Sequence, residues 1–473
     1  MSTPVTVKTA AKRTKIIATI GPASWQPEML IKLLSAGMNL IRINMAHGTP
    51  EEHRETIRRA REAAAQARLP LAIMADTKGP GIRTGALAGG RLKLGAGQEL
   101  SLVAAELLGN AERIPIDYPD LWQHLHPGDA VWLANGEIEL QVLSSSPEGI
   151  RCQVKNSGVL GDHKRVNLPE ARLPSLAEAD RQDIEFAASC GIDYLAVSFV
   201  RQASDIERAR QILKGCGAGI VAKMETTEAI ANSEAIIAAS DAVMVARGDL
   251  GVEIPLEEVP LAQRRLVQRC RERGVPVIIA TQMLKSMVDN PRPTRAEVSD
   301  IATAILDGAD AIMLSEETAI GSYPVESVQI MTRIAQCIER AEPQVRLAEV
   351  RRVSTTEAIG QSACLIAEHI DAAAIITSTR SGATARLVAK FRPPQSIVAV
   401  TYSEQVRNQL SLIWGVQPLV IPFSESSTDE ILRRSVEVAL QAELIQKGHW
   451  VVLTAGAPFG VSGTTNLIKV ERV

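Results

Sequence analysis

The chain has 473 residues, of which 46% are apolar and 22% are charged, and its formal net charge is −3. A chain of this length is expected to form about two to four domains, and the composition is typical of a globular enzyme and excludes a disordered or fibrous protein. The low net charge and the aromatic content of 3% argue against a nucleic-acid partner, so small anionic ligands are the expected class.

The cysteines and the hydropathy pattern bear on the cellular setting. The six cysteines are scattered without a CxxC pair, so neither a disulfide framework nor a zinc site is predicted. The apolar runs are too short to span a membrane, and the basic N-terminal residues are not followed by the apolar stretch of a secretory signal. We therefore expect a cytoplasmic protein without a membrane partner.

The first 85 residues alternate between strands and helices. Apolar, β-branched runs predict strands at residues 14–20, 39–45 and 71–75, and helices are predicted at 27–36 and 50–68. Thr49 and Glu52 form a capping box at the start of the second helix. The glycine-rich sequence from 86 to 169 has short alternating runs and no helical period, which predicts an inserted β domain that acts as a lid.

The alternation of strands and helices returns after the insertion. Five further strands are predicted at residues 194–200, 220–224, 242–246, 277–281 and 311–314. Thr294 and Glu297 form another capping box, and Gly308 suits the C-terminal end of that helix. Three strands before the insertion and five after it predict a (β/α)₈ TIM barrel built from residues 1–85 and 170–345.

Residues 346–473 are predicted to form a separate C-terminal domain. A helix at 355–369 is followed by strands at 373–377, 397–400, 419–421, 450–453 and 467–473, with helical stretches between them. This order predicts an open α/β sheet.

Polar residues follow the predicted barrel strands, at the end of a (β/α)₈ barrel where functional side chains lie. These residues are Arg42, Asn44, Asp76, Lys78, Lys223, Glu225, Asp249, Thr281, Gln282, Ser315 and Glu317. We expect them to converge on one mouth.

The residue types at this mouth indicate a reaction. Glu225 and Asp249 are hard oxygen donors suited to Mg²⁺ or Mn²⁺, and Lys223 beside them would stabilise negative charge developing on a substrate oxygen. Arg42 and Arg83 are suited to phosphate oxygens. Together they predict phosphoryl transfer to or from a small acid.

Two structural alternatives remain open from the residues alone. The strand-end charges could form a buried ionic network without a ligand. Arg247 and Asp249 could pair to close a strand-to-helix turn.

Long motifs run through nearly the whole chain. They are ATIGPAS at 18–24, MNLIRINMAHG at 38–48, DTKGPGIRTG at 76–85, VMVARGDLGVEIP at 243–255, ATQMLKSM at 280–287, PRPTRAEVSDIATAILDGADAIML at 291–314 and SGTTNLIKV at 462–470. In these motifs the chain resembles the pyruvate kinase family. The resemblance implies transfer of the phosphoryl group of phosphoenolpyruvate to ADP, giving pyruvate and ATP in glycolysis. It also implies a barrel domain, a lid inserted after its third strand, a C-terminal effector domain and a homotetramer.

The resemblance also implies roles for residues at the mouth. Glu225 and Asp249 would bind the divalent cation, and Lys223 would stabilise the transition state and the enolate. The residues around the substrate would be Arg42, Lys223, Gly248, Asp249 and Thr281. Gly248 would allow close backbone approach, and Thr281 would help a proton relay.

Further roles are implied for the nucleotide and for K⁺. The residues contacting the nucleotide phosphates would be Asn44, His47, Arg83 and Lys164. The ligands of K⁺ would be Asn44, Asp76 and the carbonyl of Thr77.

A loop in the C-terminal domain matches the effector phosphate loop of the family. The loop joins a strand to a helix, and its hydroxyl and N–H groups could bind a phosphate. These groups belong to Thr379, Arg380, Ser381, Gly382 and Thr384. Ala383 stands where many effector loops have arginine or lysine, and the alternative is an ordinary turn without a ligand.

Several positions depart from the family pattern. Ala46 replaces a usual serine ligand of K⁺, and Gly81 replaces the usual glutamate or lysine, so the K⁺ requirement is open. In the lid, Ala134 and Asn135 before Gly136 replace two aspartates expected to help closure.

Other departures lie in the barrel. Glu316 replaces a usual glycine, and Thr226 and Thr227 differ from the stretch that usually follows the metal glutamate.

These departures keep two other functions open beside an active pyruvate kinase. One is a low-activity paralogue that mainly binds phosphoenolpyruvate or an effector as a regulatory protein. The other is a divalent-metal lyase acting on a pyruvate enolate, against which Arg83 and Lys164 count because a lyase needs no nucleotide.

Overall fold

The computed structural model describes residues 12–79, 81–134, 136–168, 176, 178–341, 354–423, 427–456 and 465–473. The predicted domain boundaries near 169 and 345, Asn135 of the lid and the start of the SGTTNLIKV motif lie outside the described residues.

The N-terminal segment forms the first three barrel strands. Its elements are β1 (Lys15–Thr19), α1 (Pro27–Ala36), β2 (Leu40–Asn44), α2 (Pro50–Ala67) and β3 (Ala72–Asp76). Thr49 caps α2 through the predicted capping box, because its hydroxyl accepts a hydrogen bond from Glu52 N while the Glu52 carboxylate accepts one from Thr49 N. Every residue of β1 and β3 is buried, as expected for parallel strands covered on both faces.

The insertion is a β domain with its own apolar core. Its strands are β4 (Arg91–Leu94), β5 (Glu99–Val103), β6 (Arg113–Pro115), β7 (Ala130–Leu133), β8 (Ile138–Ser146), β9 (Gly149–Val154), β10 (Gly158–Gly161) and β11 (Val166–Asn167). They form a six-stranded sheet in the order β11-β7-β8-β9-β5-β6 and a two-stranded sheet of β10 and β4. The predicted inserted β domain is confirmed.

The rest of the barrel follows the insertion. Its strands are β12 (Tyr194–Val197), β13 (Gly219–Met224), β14 (Ala242–Ala246), β15 (Val277–Ala280) and β16 (Ala311–Leu314). Its helices are α3 (Glu178–Ser189), α4 (Ala203–Ile212), α5 (Thr227–Ala231), α6 (Ser233–Ala239), α7 (Arg247–Glu253), α8 (Val259–Arg273), α9 (Arg295–Asp307), α10 (Glu316–Ala319) and α11 (Pro324–Ala341).

The barrel closes as predicted. The parallel strands follow the order β1-β16-β15-β14-β13-β12-β3-β2, and β1 pairs with both β16 and β2. The predicted capping box of Thr294 and Glu297 begins α9, and Gly308 ends it with a φ of 104°. The predicted (β/α)₈ barrel is therefore confirmed.

Two predicted strands end early because the backbone turns left-handed. The strand predicted at 194–200 ends at Val197, and the strand predicted at 277–281 ends at Ala280. Phe199 and Thr281 have φ angles of 54° and 68°, and this left-handed conformation cannot continue a strand. Both departures lie at the mouth of the barrel.

The C-terminal domain is an open α/β sheet, as predicted. Its helices are α12 (Thr355–His369), α13 (Ala383–Lys390), α14 (Glu404–Gln409) and α15 (Thr428–Gln441). Its strands are β17 (Ala374–Ser378), β18 (Ser396–Thr401), β19 (Val416–Val420), β20 (Trp450–Gly456) and β21 (Thr465–Arg472). The strand order is β19-β18-β17-β20-β21, with only β21 antiparallel to its neighbour. The strand predicted at 419–421 begins earlier, at Val416.

A buried tryptophan marks the contact between the barrel and this domain. The guanidinium groups of Arg392 and Arg13 lie 4.6 and 5.4 Å from the ring centre of Trp414. Arg392 also pairs with Asp310 of the barrel, with Nη1 and Oδ1 3.0 Å apart. In the part of the chain that the structure describes, no helix is long and apolar enough to cross a membrane.

Candidate active site at the mouth of the barrel

Asp76, the last residue of β3, is held between two cations. Arg42 Nε lies 2.5 Å from its Oδ2 and Lys223 Nζ lies 3.1 Å from its Oδ1. Burial acts to raise the pKa of Asp76, but the charges of Arg42 and Lys223 outweigh it and lower the pKa. Asp76 is therefore an anion that positions both cations.

Lys223 points from β13 into the same buried cluster. Its Nζ lies 2.9 Å from Oε1 of Glu225 and donates a hydrogen bond of 2.7 Å to Ser198 Oγ. Burial acts to lower the pKa of Lys223, but the carboxylates of Asp76 and Glu225 outweigh it and raise the pKa. The mouth thus holds a lysine ammonium with little access to water.

Glu225 follows β13 and is fully buried. Burial raises its pKa to about 7, against the opposing effect of Lys223. Its Oε2 accepts a hydrogen bond of 2.8 Å from Phe199 N. Its Oε1 is held by the ion pair with Lys223 and by no other ion pair or hydrogen bond among the described residues. A buried carboxylate oxygen held only by an ion pair has coordination left for a bound cation.

Asp249 lies in the first turn of α7 rather than on the strand itself. Its Oδ1 is 2.6 Å from Nη1 of Arg165, which comes from the inserted domain and whose guanidinium lies 4.7 Å from the Phe199 ring centre. Arg165 is not among the residues predicted from the sequence, although it adjoins the predicted Lys164. Nothing local in the sequence indicates that a residue of the insertion reaches a barrel carboxylate.

The two carboxylates fit a divalent cation that keeps open positions. Glu225 and Asp249 follow the adjacent strands β13 and β14. Within the described ranges no group of three or more His, Cys, Asp or Glu side chains comes together as a metal cage. Two carboxylates that leave the other positions to water and substrate oxygens match the preference of Mg²⁺.

Thr281 joins the end of β15 to the start of α7. Its hydroxyl accepts a hydrogen bond of 2.8 Å from Gly248 N and donates one of 2.6 Å to Ala280 O. A Cβ at Gly248 would lie 3.5 Å from Thr281 Oγ1, an ordinary contact, so room for a side chain is not what distinguishes this glycine.

Arg247 does not pair with Asp249, so the predicted alternative of a local ion pair is wrong. Its Nη1 lies 2.7 Å from Asp300 Oδ1, and its Nη2 donates to Thr281 O at 2.8 Å. Arg247 thus supports the left-handed backbone of Thr281, a role that sequence analysis missed because Asp300 is 53 residues away.

Two of the predicted nucleotide residues, His47 and Arg83, lie at a cationic rim formed by Arg42, Lys78 and Arg83 on one side of the mouth. Partial burial and the nearby charges of Arg83, Arg42 and Lys78 lower the pKa of His47, so these cations lie close to its ring. Arg83 is fixed by a hydrogen bond of 3.1 Å from its Nη1 to His163 O.

Lys164 lies beside this rim. Its backbone N donates to Thr84 Oγ1 at 2.9 Å, and its carbonyl accepts from Thr84 N at 2.8 Å. These two hydrogen bonds hold the C-terminal end of the insertion next to the DTKGPGIRTG segment.

The three residues predicted for K⁺ lie at the ends of β2 and β3, but their oxygens have protein partners. Asn44 Oδ1 accepts from Ala46 N at 3.3 Å, and Thr77 O accepts from Ser198 Oγ at 2.7 Å. Both carboxylate oxygens of Asp76 contact cations. A K⁺ ion would have to displace or share these contacts.

The predicted effector loop lies between β17 and α13. Gly382 has a φ of 82°, and its N–H donates to Thr379 Oγ1 at 3.0 Å. The hydroxyl of Thr384 lies 2.9 Å from that of Thr465 and is buried. Arg380 is exposed, and Ser381 is half-buried.

The positions that depart from the family pattern have structural partners. The exposed side chain of Glu316 pairs with exposed Lys285. Thr226 caps α5 by accepting from Ala229 N at 3.1 Å, and Thr227 Oγ1 donates to Glu253 O at 3.0 Å. These contacts give each replacement a role in holding the fold.

In the insertion, Ala134 is buried and has a φ of 53°. A Cβ at Gly136 would lie 3.6 Å from Val252 Cγ1, so this turn lies against α7. The insertion therefore reaches the barrel at the helix that carries Asp249.

Two family models together match most of the chain. The model described as "Pyruvate kinase, barrel domain" matches residues 11–328, and the one described as "Pyruvate kinase, alpha/beta domain" matches residues 357–471. The chain is 46% identical to the pyruvate kinase of Geobacillus stearothermophilus, over 98% of this chain and 80% of the relative. It is 43% identical to that of Clostridium acetobutylicum, over 98% of this chain and 100% of the relative. The crystal structure of a pyruvate kinase from Cryptosporidium parvum is similar, with a TM-score of 0.86, 37% identity and coverage of 98% of this chain and 96% of that one.

Proposed function

The chain belongs to the pyruvate kinase family, and we propose that it transfers the phosphoryl group of phosphoenolpyruvate to ADP, giving pyruvate and ATP. The observation that carries this proposal is the buried ion pair of Lys223 with Glu225, at the mouth that also holds Asp249. The P–O bond of the enol phosphate breaks and a P–O bond to the terminal phosphate oxygen of ADP forms. The enolate then gains a proton on carbon.

Glu225 and Asp249 are the proposed ligands of Mg²⁺ or Mn²⁺. A bound divalent cation would neutralise charge on the transferred group and on the enolate oxygen. Glu225 and Asp249 follow adjacent barrel strands, so they can reach one cation without a large movement of either element.

Lys223 is proposed to stabilise the enolate oxygen as the phosphoryl group leaves. An ammonium about 4 Å from a developing unit charge contributes about 4 kcal/mol at an effective dielectric constant of about 20, before desolvation. Asp76 holds Lys223 and Arg42 in place, and Arg42 is proposed to grip the anionic groups of phosphoenolpyruvate.

Thr281 is proposed to pass a proton towards the enolate carbon. Its hydroxyl donates to Ala280 O, and rotation about the Cβ–Oγ1 bond would turn this proton from the carbonyl towards the mouth. The N–H of Gly248, which donates to Thr281 Oγ1 in this structure, is the proposed contact for the substrate.

The residues proposed to bind the nucleotide phosphates are Asn44, His47, Arg83 and Lys164. The fixed guanidinium of Arg83 supports this proposal, because arginine holds phosphate oxygens in a fork.

Other family features are also proposals for this chain. We propose a homotetramer in the cytoplasm, and the six cysteines, all described and all free thiols, agree with a reducing compartment. K⁺ is proposed to bind at Asn44, Asp76 and the Thr77 carbonyl. A phosphorylated effector is proposed to bind the loop of Thr379, Arg380, Ser381, Gly382 and Thr384.

The test is the stoichiometry of products from phosphoenolpyruvate and ADP with Mg²⁺, with and without K⁺ and across a panel of sugar phosphates and nucleotides. We expect one pyruvate and one ATP per turnover. Pyruvate without ATP would indicate a hydrolase or lyase. Turnover far below about 1 s⁻¹ under every condition, with phosphoenolpyruvate still bound, would instead indicate the regulatory paralogue.

A further inference from the structure

Arg165 brings a positive charge from the inserted domain to one of the two proposed cation ligands. Its Nη1 lies 2.6 Å from Oδ1 of Asp249, and the two side chains are only 23% and 21% exposed. The Phe199 ring supports the guanidinium at 4.7 Å, while Phe199 N donates to Glu225 Oε2. Arg165 therefore lies directly against one of the two proposed cation ligands.

The backbone around Arg165 is fixed both to the insertion and to the segment that leads into it. Its carbonyl accepts a hydrogen bond of 3.0 Å from Ala134 N, and Arg165 forms a β-bridge with Arg83. The adjacent Val166 N donates to Ile82 O at 2.9 Å. The side chain of Arg165 is thus a direct link between the inserted domain and α7.

A divalent cation on Asp249 would bring a second positive charge close to this guanidinium. Mg²⁺ binds carboxylate oxygens at about 2.1 Å, so a cation on either oxygen of Asp249 would lie within a few ångström of Arg165 and would be repelled by it. Each of the three carboxylates at the mouth already pairs with a cationic side chain. The pairs are Asp76 with Arg42 and Lys223, Glu225 with Lys223, and Asp249 with Arg165.

We propose that Arg165 competes with the divalent cation for Asp249, so that cation binding releases Arg165 and frees its guanidinium for phosphate oxygens at the mouth. This inference rests on the proposed cation site. Its basis is the ion pair at Asp249, the aromatic support from Phe199 and the fixed backbone, which keeps the released side chain beside the mouth.

The direct test is binding of Mn²⁺ alone, without substrate or nucleotide, followed by the electron paramagnetic resonance signal of free Mn²⁺. We expect Arg165→Gln to bind Mn²⁺ roughly three- to thirtyfold more tightly than the wild type, because the competing ion pair is gone. Arg165→Lys keeps the charge but loses the two-pronged hydrogen bonding of the guanidinium. We expect this variant to bind Mn²⁺ about threefold more tightly than the wild type.

Arg201 provides a matched control. It is 18% exposed and pairs at 3.0 Å with Glu228, which follows the same strand as Glu225 but is not a proposed ligand. Arg201→Gln removes a charge of the same sign, and we expect Mn²⁺ affinity within about twofold of wild type. Unchanged or weaker binding in the Arg165 variants would overturn the proposal, and so would an equal gain in Arg201→Gln.

Thermal unfolding gives a second readout that does not depend on turnover. In EDTA, Arg165→Gln should melt below the wild type, whereas Mn²⁺ should raise its melting temperature by more than that of the wild type. If Arg165→Gln does not fold, Arg165→Lys decides both measurements. Tighter Mn²⁺ binding in a chain that makes no ATP would refute the proposed function alone, and normal ATP formation with unchanged Mn²⁺ binding would refute only the role of Arg165.

Discussion

Gly248 donates its backbone N–H to the hydroxyl oxygen of Thr281 across 2.8 Å, which ties the start of α7 to the end of β15. Thr281 holds this position with a φ of 68°, a conformation that is uncommon for a β-branched residue and costs on the order of 1–3 kcal/mol. Arg247 supports the strained backbone from behind by donating to Thr281 O. The hydroxyl is therefore both an anchor for the helix of Asp249 and the proposed proton carrier.

Substitution of Thr281 should separate loss of the hydroxyl from loss of the methyl group. We expect Thr281→Ser to keep kcat within about fivefold of the wild type, and Thr281→Val to lower it by roughly 10²-fold. Steady-state kinetics measure both, and melting temperatures show whether the variants fold. Equal activity in the two variants would exclude a role for the hydroxyl.

The ion pair between Arg392 and Asp310 should stabilise the contact of the C-terminal domain with the barrel. Both side chains are buried, and Asp310 Oδ2 also accepts from Val277 N at 3.0 Å. Arg392→Met would leave a buried carboxylate without its cation, so we expect a loss of about 3–5 kcal/mol in the free energy of unfolding. Urea denaturation followed by tryptophan fluorescence measures it. A loss below about 1 kcal/mol, as for an exposed pair, would show that this ion pair does not stabilise the contact between the domains.

Glu297 should make the stability of the chain depend on pH. Partial burial acts to raise its pKa, but hydrogen bonds from Ser286 and Thr294 to its carboxylate outweigh burial and lower the pKa. Because the folded pKa lies below the unfolded one, the stabilisation is present above the unfolded pKa and is lost as pH falls through the folded pKa.

The predicted direction of this pH dependence can be tested by comparing melting temperatures of the wild type and Glu297→Gln. At pH 7 the variant should melt lower, and the difference should shrink as the pH falls through the lowered pKa of Glu297, where the carboxylate of the wild type takes up a proton. A difference that does not change with pH would show that the charge of Glu297 is irrelevant.

Glu316 should have little influence on catalysis despite its departure from the family pattern. It pairs with Lys285, and the two side chains are 53% and 58% exposed, so their interaction is largely screened by water. We expect Glu316→Gly to leave kcat and KM within about twofold of wild type. A large rise in kcat would show instead that the glutamate restrains turnover.

The sequence predicts the elements whose pattern is local. The strands β13 and β14 are short apolar runs bounded by charge, and the capping boxes of α2 and α9 each lie within four residues. For the same reason Asp76, Lys223 and Glu225 could be placed at one mouth from strand ends alone.

The missed features depend on contacts between distant segments. Arg165 meets Asp249 only after the insertion folds against α7, and Arg247 finds Asp300 on another helix. The run YLAVSFV also predicts a strand that continues through Phe199. Phe199 instead has a left-handed backbone and its ring contacts Arg165, which β propensity does not indicate.

The most direct test of the account is phosphoryl transfer by Lys223→Met in a single turnover, with direct Mn²⁺ binding measured on the same sample. Loss of the ammonium beside Glu225 should slow ATP formation by roughly 10²-fold or more, while the variant stays folded and still binds Mn²⁺. Near-normal ATP formation in the folded, Mn²⁺-loaded variant would contradict the role of Lys223 and with it the proposed mechanism.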